Sequence, residues 1–375
     1  MKILTFLILF ISFHTKLFAI DTKAEEAIVF DYSTNEILFE KNADNKTYPA
    51  SMTKIMTIYV VFDRIINTDL SLDDKCTVSA KAYKMGGSRM FLEINSKVSI
   101  EDLLRGIIIQ SGNDASIVIA ECLSGTEEDF AALMNSYAKI LNLTNTNFIN
   151  SSGWPNENHF STVRDIGILS NAIIKDFPAL YEYFAEKEFV YNEIKQPNRN
   201  RLLNEVDGVD GIKTGFTKKS GWGISASSIR GKRRITVVIN GTNSSRIRAL
   251  ESEKLINWAF RETSPKKILK KDQLIKEVDV WLGSKPTINL IIENDLVTTV
   301  SYEQIKTLKS SIEYEKPISA PIKKGDILGK LTIEISGKKN FEVPLVAENN
   351  VKIINPIFRI IAAIKYLIFG TSLDE

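Results

Sequence analysis

The chain has 375 residues, 44% hydrophobic and 25% charged, an ordinary globular balance on a length that points to two domains. Its 48 lysines and arginines against 46 acidic residues leave a formal charge of +2, too little to mark a nucleic-acid-binding surface. Two histidines, His14 and His159, and two cysteines, Cys76 and Cys122, exclude a zinc site of the usual Cys/His kind, a disulfide-rich scaffold and a redox CxxC pair.

Residues 1–19 separate from the rest. Lys2 precedes an apolar run from Ile3 to Phe13, and the stretch closes at Leu17-Phe18-Ala19, the layout of a secretory signal peptide cut after Ala19. The alternative, an uncleaved anchor, suffers from a run short for a membrane span. Removing Lys2, Lys16 and His14 leaves a mature chain with 46 basic and 46 acidic residues and a single histidine. His159 lies in the polar stretch Asn156 to Phe160, which reads as a solvated surface loop, so nucleophilic catalysis here needs a base other than imidazole.

Ala27 to Phe30 and Ile37 to Phe39 flank Ser33-Thr34-Asn35 and predict a hairpin. Met52 to Ile66 predicts a buried helix opening at Pro49-Ala50-Ser51, and helical periodicity returns in Ile100 to Gln110, Asp114 to Leu123 and Glu127 to Leu141. Trp222 to Ile229 and Arg233 to Ile239 predict a second hairpin through Arg230-Gly231-Lys232, closed by a helix over Arg248 to Phe260. Strands first, helices in the middle and strands with a helix last describe an α+β domain whose antiparallel sheet draws on both ends of the segment. Beyond Ser264-Pro265, short β-rich runs from Val278 to Val346 predict a small all-β module. Finally Pro356 to Phe369, stopped by Gly370, predicts a terminal amphipathic helix. Its thirteen residues after the proline reach about 20 Å, short of the roughly 30 Å hydrocarbon core. With three basic and no acidic residues between Val351 and Gly370, it suits the interface of an anionic membrane. The expected divisions are 1–19, 20–262, 263–350 and 351–375.

Three short motifs stand in order: Ser51-Met52-Thr53-Lys54, Ser111-Gly112-Asn113 and Lys213-Thr214-Gly215. Each is weak alone, since S-x-x-K recurs at Ser136, Ser264 and Ser336. Context selects Ser51: it heads the buried helix, three residues before Lys54 and on the same face. There the helix N-terminus offers N–H groups to a developing anion. The apolar Ile55-Met56-Thr57-Ile58 beside Lys54 would lower an amine's pKa and make it a usable base. In the second motif a hydroxyl can relay a proton and an asparagine amide can hold a substrate amide. In the third, lysine supplies charge, threonine a hydroxyl for a carboxylate, and glycine room for close approach.

Together the motifs resemble the S-x-x-K, S-x-N and K-T-G signature of penicillin-binding proteins and serine β-lactamases. Gly87 to Phe91, Gly112 to Ala115, Gly211 to Gly215 and Arg246-Ile247-Arg248 are similar to the D-alanyl-D-alanine carboxypeptidases of the peptidase S11 type. The resemblance implies a β-lactamase/DD-peptidase-like catalytic domain, a β-rich second domain and a C-terminal anchor. It implies that Ser51 attacks the carbonyl between the terminal D-alanines of a peptidoglycan stem peptide, with Lys54 as base. Backbone N–H groups of Ser51 and Phe216 would form the oxyanion hole and Ser111 would pass the proton on. Asn113, Lys213, Thr214, Gly215 and Arg248 would bind substrate, with no metal or cofactor. Penicillin would acylate the same serine. Export to the periplasm and attachment to the outer face of the cytoplasmic membrane follow from the same layout. Many relatives carry His where this chain has Phe216; because the role there is a backbone N–H, the mechanism should survive. A class A β-lactamase would need an E-x-x-L-N-type loop between Ser111 and Lys213, which is missing, and a non-catalytic envelope module would have a broken motif, which is not found. A DD-endopeptidase of the same fold remains the other alternative.

Overall fold

Strand alternation sets the first element. In β1 (Glu26–Asp31), Ala27 and Val29 face one side and Ile28 and Phe30 the other, and all are buried, so the strand lies inside a sheet covered on both faces. It pairs antiparallel with β2 (Glu36–Lys41), as the hairpin pattern predicts. The computed structural model describes residues 20–369; the leader expected at 1–19 lies outside the described residues.

After Pro49 the chain forms a 3-10 turn, Ala50–Thr53, and runs directly into α1 (Lys54–Asn67). Every residue from Lys54 to Phe62 is buried, which explains why this segment is apolar all round rather than striped. A ribbon of β3 (Lys75–Thr77) and β4 (Lys97–Ser99) encloses α2 (Ala80–Lys84) and leads to α3 (Ile100–Arg105). A π turn at Gly106–Gln110 then joins α3 to α4 (Asn113–Ser124), followed by α5 (Glu127–Ile140). A single disulfide, Cys76–Cys122, ties β3 to α4 with Cα atoms 5.6 Å apart. The helix α6 (Val163–Asp176), unassigned from sequence, is capped by the Thr162 hydroxyl and packs on the sheet through Gly167, where a Cβ would stand 2.4 Å from the Phe30 ring.

The hairpin β5 (Glu188–Tyr191) and β6 (Ile194–Pro197) and the short α7 (Leu202–Glu205) precede three long strands. These are β7 (Val209–Thr217), β8 (Gly221–Arg230) and β9 (Arg233–Thr242), with α8 (Ser245–Glu262) after them. The five-stranded sheet has the order β2-β1-β9-β8-β7, antiparallel throughout, so both ends of the segment meet at β1 and β9. One face carries the main core with α1, α4, α5 and α6; the other carries Ala27, Val29, Ile224, Ala226, Val237 and Ile239 against Leu255, Ile256 and Ala259 of α8.

The second domain begins with β10 (Thr263–Leu269), which pairs with β13 (Leu296–Ser301). Its six-stranded sheet contains β11 (Leu274–Trp281), β12 (Thr287–Ile291), β14 (Lys309–Tyr314), β15 (Ile318–Ser319), β16 (Ile327–Glu334) and β17 (Phe341–Ala347). Between β13 and β14 a one-turn helix, α9 (Tyr302–Lys306), closes with a capping box between Ser301 and Gln304. This domain is β-rich as expected, with its own core around Leu290, Leu331, Ile333 and Leu345. It meets the catalytic domain at the β1–β2 hairpin: Glu36 accepts from the Thr298 hydroxyl, the Thr299 N–H and Lys338, and the fully buried Asp31 accepts from Thr299 and Arg233. The helix α10 (Pro356–Phe369) starts at the proline, with Ile357, Phe358, Ile360, Ile361 and Ile364 exposed. Among the described residues no helix is long and apolar enough to cross a membrane.

Candidate active site

The turn that carries Ser51 is held in an unusual shape. Ala50 has φ +49°, a region that costs a non-glycine residue energy unless its surroundings impose it. Two glycines do the imposing by leaving no room for anything else. A Cβ on Gly153 would lie 1.8 Å from the Ala50 carbonyl oxygen, and one on Gly215 would lie 2.8 Å from the Pro49 oxygen. Gly215 also has a packing role: the atoms nearest its missing side chain belong to Pro49, Ala50 and Met52, so β7 packs directly on the Ser51 turn.

Lys54, the first residue of α1, has no exposed surface. Its Nζ stands 3.0 Å from Ser51 Oγ, 2.7 Å from Asn113 Oδ1 and 2.6 Å from the Ser152 carbonyl oxygen. Burial pushes the amine down to about 7, Arg199 adds to the effect, and Asp114 and Glu127 oppose it. The expectation of a softened lysine holds, with desolvation as the cause.

Ser111 follows the π turn in a left-handed conformation, φ +64°, and is 3% exposed. The turn aims Asn113 at Lys54: its N–H donates to the Ser88 carbonyl, and its side-chain amide donates to the Gly86 carbonyl at 2.9 Å while Oδ1 takes the Lys54 bond. Next to it, the buried Asp114 carboxylate accepts from the backbone of Met90, Phe91 and Leu92 and anchors the loop over the helix start.

Across the cleft, Lys213 and Thr214 of β7 are buried, and Lys213 Nζ donates to the Thr214 carbonyl at 3.3 Å. Burial, then the cations Lys54, Arg199 and Arg248, hold the Lys213 amine well below its ordinary value. Arg248 is 5% exposed, lies over the Trp222 ring, and has a buried Nε without a hydrogen-bond partner; burial lowers it to about 10. Phe216 stacks on Trp222 with centroids 4.1 Å apart and keeps its ring half-exposed at the rim. Ser51, Ser111, Asn113, Thr214, Gly215, Phe216 and Arg248 all line one cleft of about 870 Å³, with Lys54 and Lys213 in its walls. Among the described residues, no cluster of His, Cys, Asp and Glu could hold a metal ion.

Three contributors escaped the sequence reading. The Ser152 carbonyl binds Lys54 from a turn, Asn150 to Trp154, that no spacing announces; Arg199 supplies positive potential from an Asn-rich stretch without helical or strand period. His159 requires a correction: it is buried, 2% exposed, not a solvated loop residue. The backbone bridges Thr47–Ser161 and Asn147–Phe160 fold its loop back onto the catalytic domain, so that Asn156, Glu157 and Asn158 face solvent while the His159 ring points inward. Burial, and then the nearby Lys54, push its imidazole down to about 4.

A helix-flanked antiparallel sheet with a Ser-x-x-Lys turn, a Ser-x-Asn turn and a Lys-Thr-Gly strand around one cleft defines the serine DD-peptidase and β-lactamase class. Residues 13–243 match the family model described as D-alanyl-D-alanine carboxypeptidase, Peptidase S11, and residues 264–353 match that of the penicillin-binding protein 5 C-terminal domain. The D-alanyl-D-alanine carboxypeptidase DacC of Escherichia coli is 41% identical over 333 residues, 87% of this chain and 83% of that protein. Among solved structures, the carboxypeptidase DacD of Francisella tularensis superposes with a TM-score of 0.81 at 30% identity, covering 89% of this chain and 95% of that one. Penicillin-binding protein D2 of Listeria monocytogenes, in its ampicillin-bound form, gives 0.60 at 28% identity over 65% of this chain and 99% of that one. The chain belongs to the peptidase S11 family of D-alanyl-D-alanine carboxypeptidases.

Proposed function

We propose that this carboxypeptidase removes the terminal D-alanine of peptidoglycan stem pentapeptides through an acyl-enzyme on Ser51, and that penicillin acylates the same atom. One observation carries the assignment: the buried Lys54 amine, held near 7, lies 3.0 Å from the Ser51 hydroxyl. Asn113 Oδ1 and the Ser152 oxygen can only accept, so in the neutral amine they take its two N–H bonds and leave the lone pair for the Ser51 proton. As Ser51 Oγ bonds to the carbonyl carbon, its proton passes to Lys54. The carbonyl oxygen becomes the oxyanion, received by the backbone N–H groups of Ser51 and Phe216. Collapse breaks the C–N bond, and the leaving D-alanine amine takes a proton relayed by Ser111; water then cleaves the ester. Thr214 and Arg248 bind the terminal carboxylate, Asn113 and Gly215 seat the peptide, and Lys213, drawn to its charged form by that carboxylate, supplies positive potential. No cofactor enters the scheme.

Carboxypeptidase is favoured over β-lactamase by the carboxylates: among the described residues lining the cleft the sole acid is Glu157, which is exposed and near Lys219 rather than paired with Ser51. Incubation with benzylpenicillin followed by mass spectrometry should find the adduct on Ser51, and a pentapeptide ending in D-Ala-D-Ala should release D-alanine. An unmodified Ser51 would sink the reading.

For location, the proposed leader at 1–19 exports the chain to the periplasm, and the Cys76–Cys122 disulfide suits an oxidising compartment. The catalytic domain, 20–262, and the β domain, 263–350, then stand on the segment 351–375. Its exposed apolar face and its three basic residues, Lys352, Arg359 and Lys365, favour attachment to the outer face of the cytoplasmic membrane. Deleting residues 356–375 should leave pentapeptide cleavage intact and free the protein from membranes; continued sedimentation with them would refute the anchor.

A further inference from the structure

His159 has no part in the scheme above, yet it lines the cleft and is buried at the heart of the catalytic domain. Its two ring nitrogens are both committed. The Ile149 backbone N–H donates to Nδ1 at 3.2 Å, and Nε2 lies 2.8 Å from Thr53 Oγ1. A backbone N–H can only donate, so Nδ1 must be the bare nitrogen; the neutral ring carries its proton on Nε2 and donates it to Thr53. Protonating Nδ1 would break the Ile149 bond.

The two bonds end on either side of the proposed base. Thr53 immediately precedes Lys54. Ile149 opens the turn whose Ser152 carbonyl takes the shortest bond that Lys54 makes, 2.6 Å. The rest of that turn is fastened independently: Asn150 Oδ1 accepts from the backbone of Ser152, Gly153 and Trp154, Thr57 donates to the Ser151 carbonyl, and Glu127 accepts from Ser151. The charged group facing the imidazole is Lys54 itself; the Phe148 ring meets it edge to face at 5.8 Å.

We infer that His159 is a positioning residue for the proposed reaction, a neutral clamp that fixes the Ser152 carbonyl and the head of α1 relative to each other and thereby aims Lys54 at Ser51. The inference rests on the assignment of Ser51 and Lys54 above. The clamp also keeps water from an amine softened mainly by burial, so releasing it returns the Lys54 pKa toward its ordinary value.

The test measures the second-order rate of Ser51 acylation by benzylpenicillin against pH for the full mature chain and for three variants. His159→Ala removes both bonds, His159→Asn retains an acceptor for Ile149, and His159→Gln retains a donor for Thr53. His159→Ala should lose roughly 10- to 100-fold at neutral pH, the scale of a misplaced catalytic group. Its acid limb should also move to higher pH. His159→Asn should lose less and keep its acid limb closer to the parent's than His159→Gln does, because the Ile149 bond is the one that reaches Ser152. If His159→Ala unfolds, the contrast between the other two decides. Equal rates and limbs in all folded variants, or a uniform rate loss with an unmoved acid limb, would overturn the clamp. A parent chain that resists acylation altogether would instead overturn the assignment of Ser51 and Lys54.

Discussion

The two domains treat charge in opposite ways. In the β domain, lysines and carboxylates sit at the surface and pair there, as Lys330 does with Glu313 and Glu342 and Lys267 with Asp295, over an apolar core around Leu290, Leu331 and Leu345. Around the cleft, Lys54, Lys213 and Arg248 are buried without a carboxylate partner, beside backbone bent into left-handed conformations at Ala50 and Ser111. Burying basic groups without a counter-charge, which costs either their charge or their hydration, and bending turns into strained shapes both lower stability and persist where the surroundings impose them. One domain therefore spends its sequence on folding, and the other gives up stability to keep reactive groups out of water.

The contrast breaks most sharply at Lys54. Replacing it by Met should cut Ser51 acylation by about a thousandfold or more, as loss of an activating base does. In the parent, acylation should fall as pH drops through about 7, because only the neutral amine accepts the serine proton. Stability should show the same group with its own sign. Between about pH 7 and 10.5 the unfolded chain holds a proton on Lys54 that the folded chain does not, so raising pH favours the fold. Relative to Lys54→Met, the parent should gain up to about 1.4 kcal/mol per pH unit across that window, measured by urea unfolding at several pH values. A difference that stays flat with pH would show that Lys54 keeps its charge on folding.

A smaller effect is expected at Arg248. The guanidinium lines the cleft and, among the described residues, has no ion-pair partner, so Arg248→Ala should lower kcat/KM for pentapeptide by ~10- to 100-fold, mostly through KM. An unchanged KM would remove Arg248 from the carboxylate site. The smallest expected change lies at the junction of the domains. Glu36→Ala deletes three hydrogen bonds to the β domain and should cost about 1–2 kcal/mol of stability while acylation of Ser51 stays as it was. A coupled loss of acylation would mean that the domains are not energetically separate.

The elements legible in the sequence are those whose burial is one-sided or complete: the first hairpin, α1, the helices α3 to α5, the long strands β8 and β9, and α8. Where apolar spacing follows the strand or helix period, as over Lys54–Asn67 or Glu127–Ile140, the pattern survives tertiary contacts. The strand β10 was hidden because Thr-Ser-Pro-Lys-Lys lacks a strand period; it forms through pairing with β13, as Thr263 does with Ser301, in a long-range contact that no local pattern encodes. In the site, the motif residues were legible because their chemistry is unusual for their position. Ser152 acts through a carbonyl oxygen, which every residue has, and so carried no signal. His159 was misread because its neighbours Asn156, Glu157 and Asn158 are exposed, as a polar loop suggests, while the imidazole alone turns inward to Thr53 and Ile149.

The place of β7 at the end of its sheet has a further consequence. An edge strand offers a row of main-chain donors and acceptors to any extended chain that comes alongside, ordinarily an aggregation hazard. Here Thr214 to Thr217 of that edge line the cleft beside the Ser51 turn, so a peptide entering the cleft can meet main-chain donors and acceptors there. Such docking reads the backbone, which every peptide shares, and leaves discrimination to the chain's end. That division of labour suits a carboxypeptidase, which must measure where a peptide stops rather than what it spells.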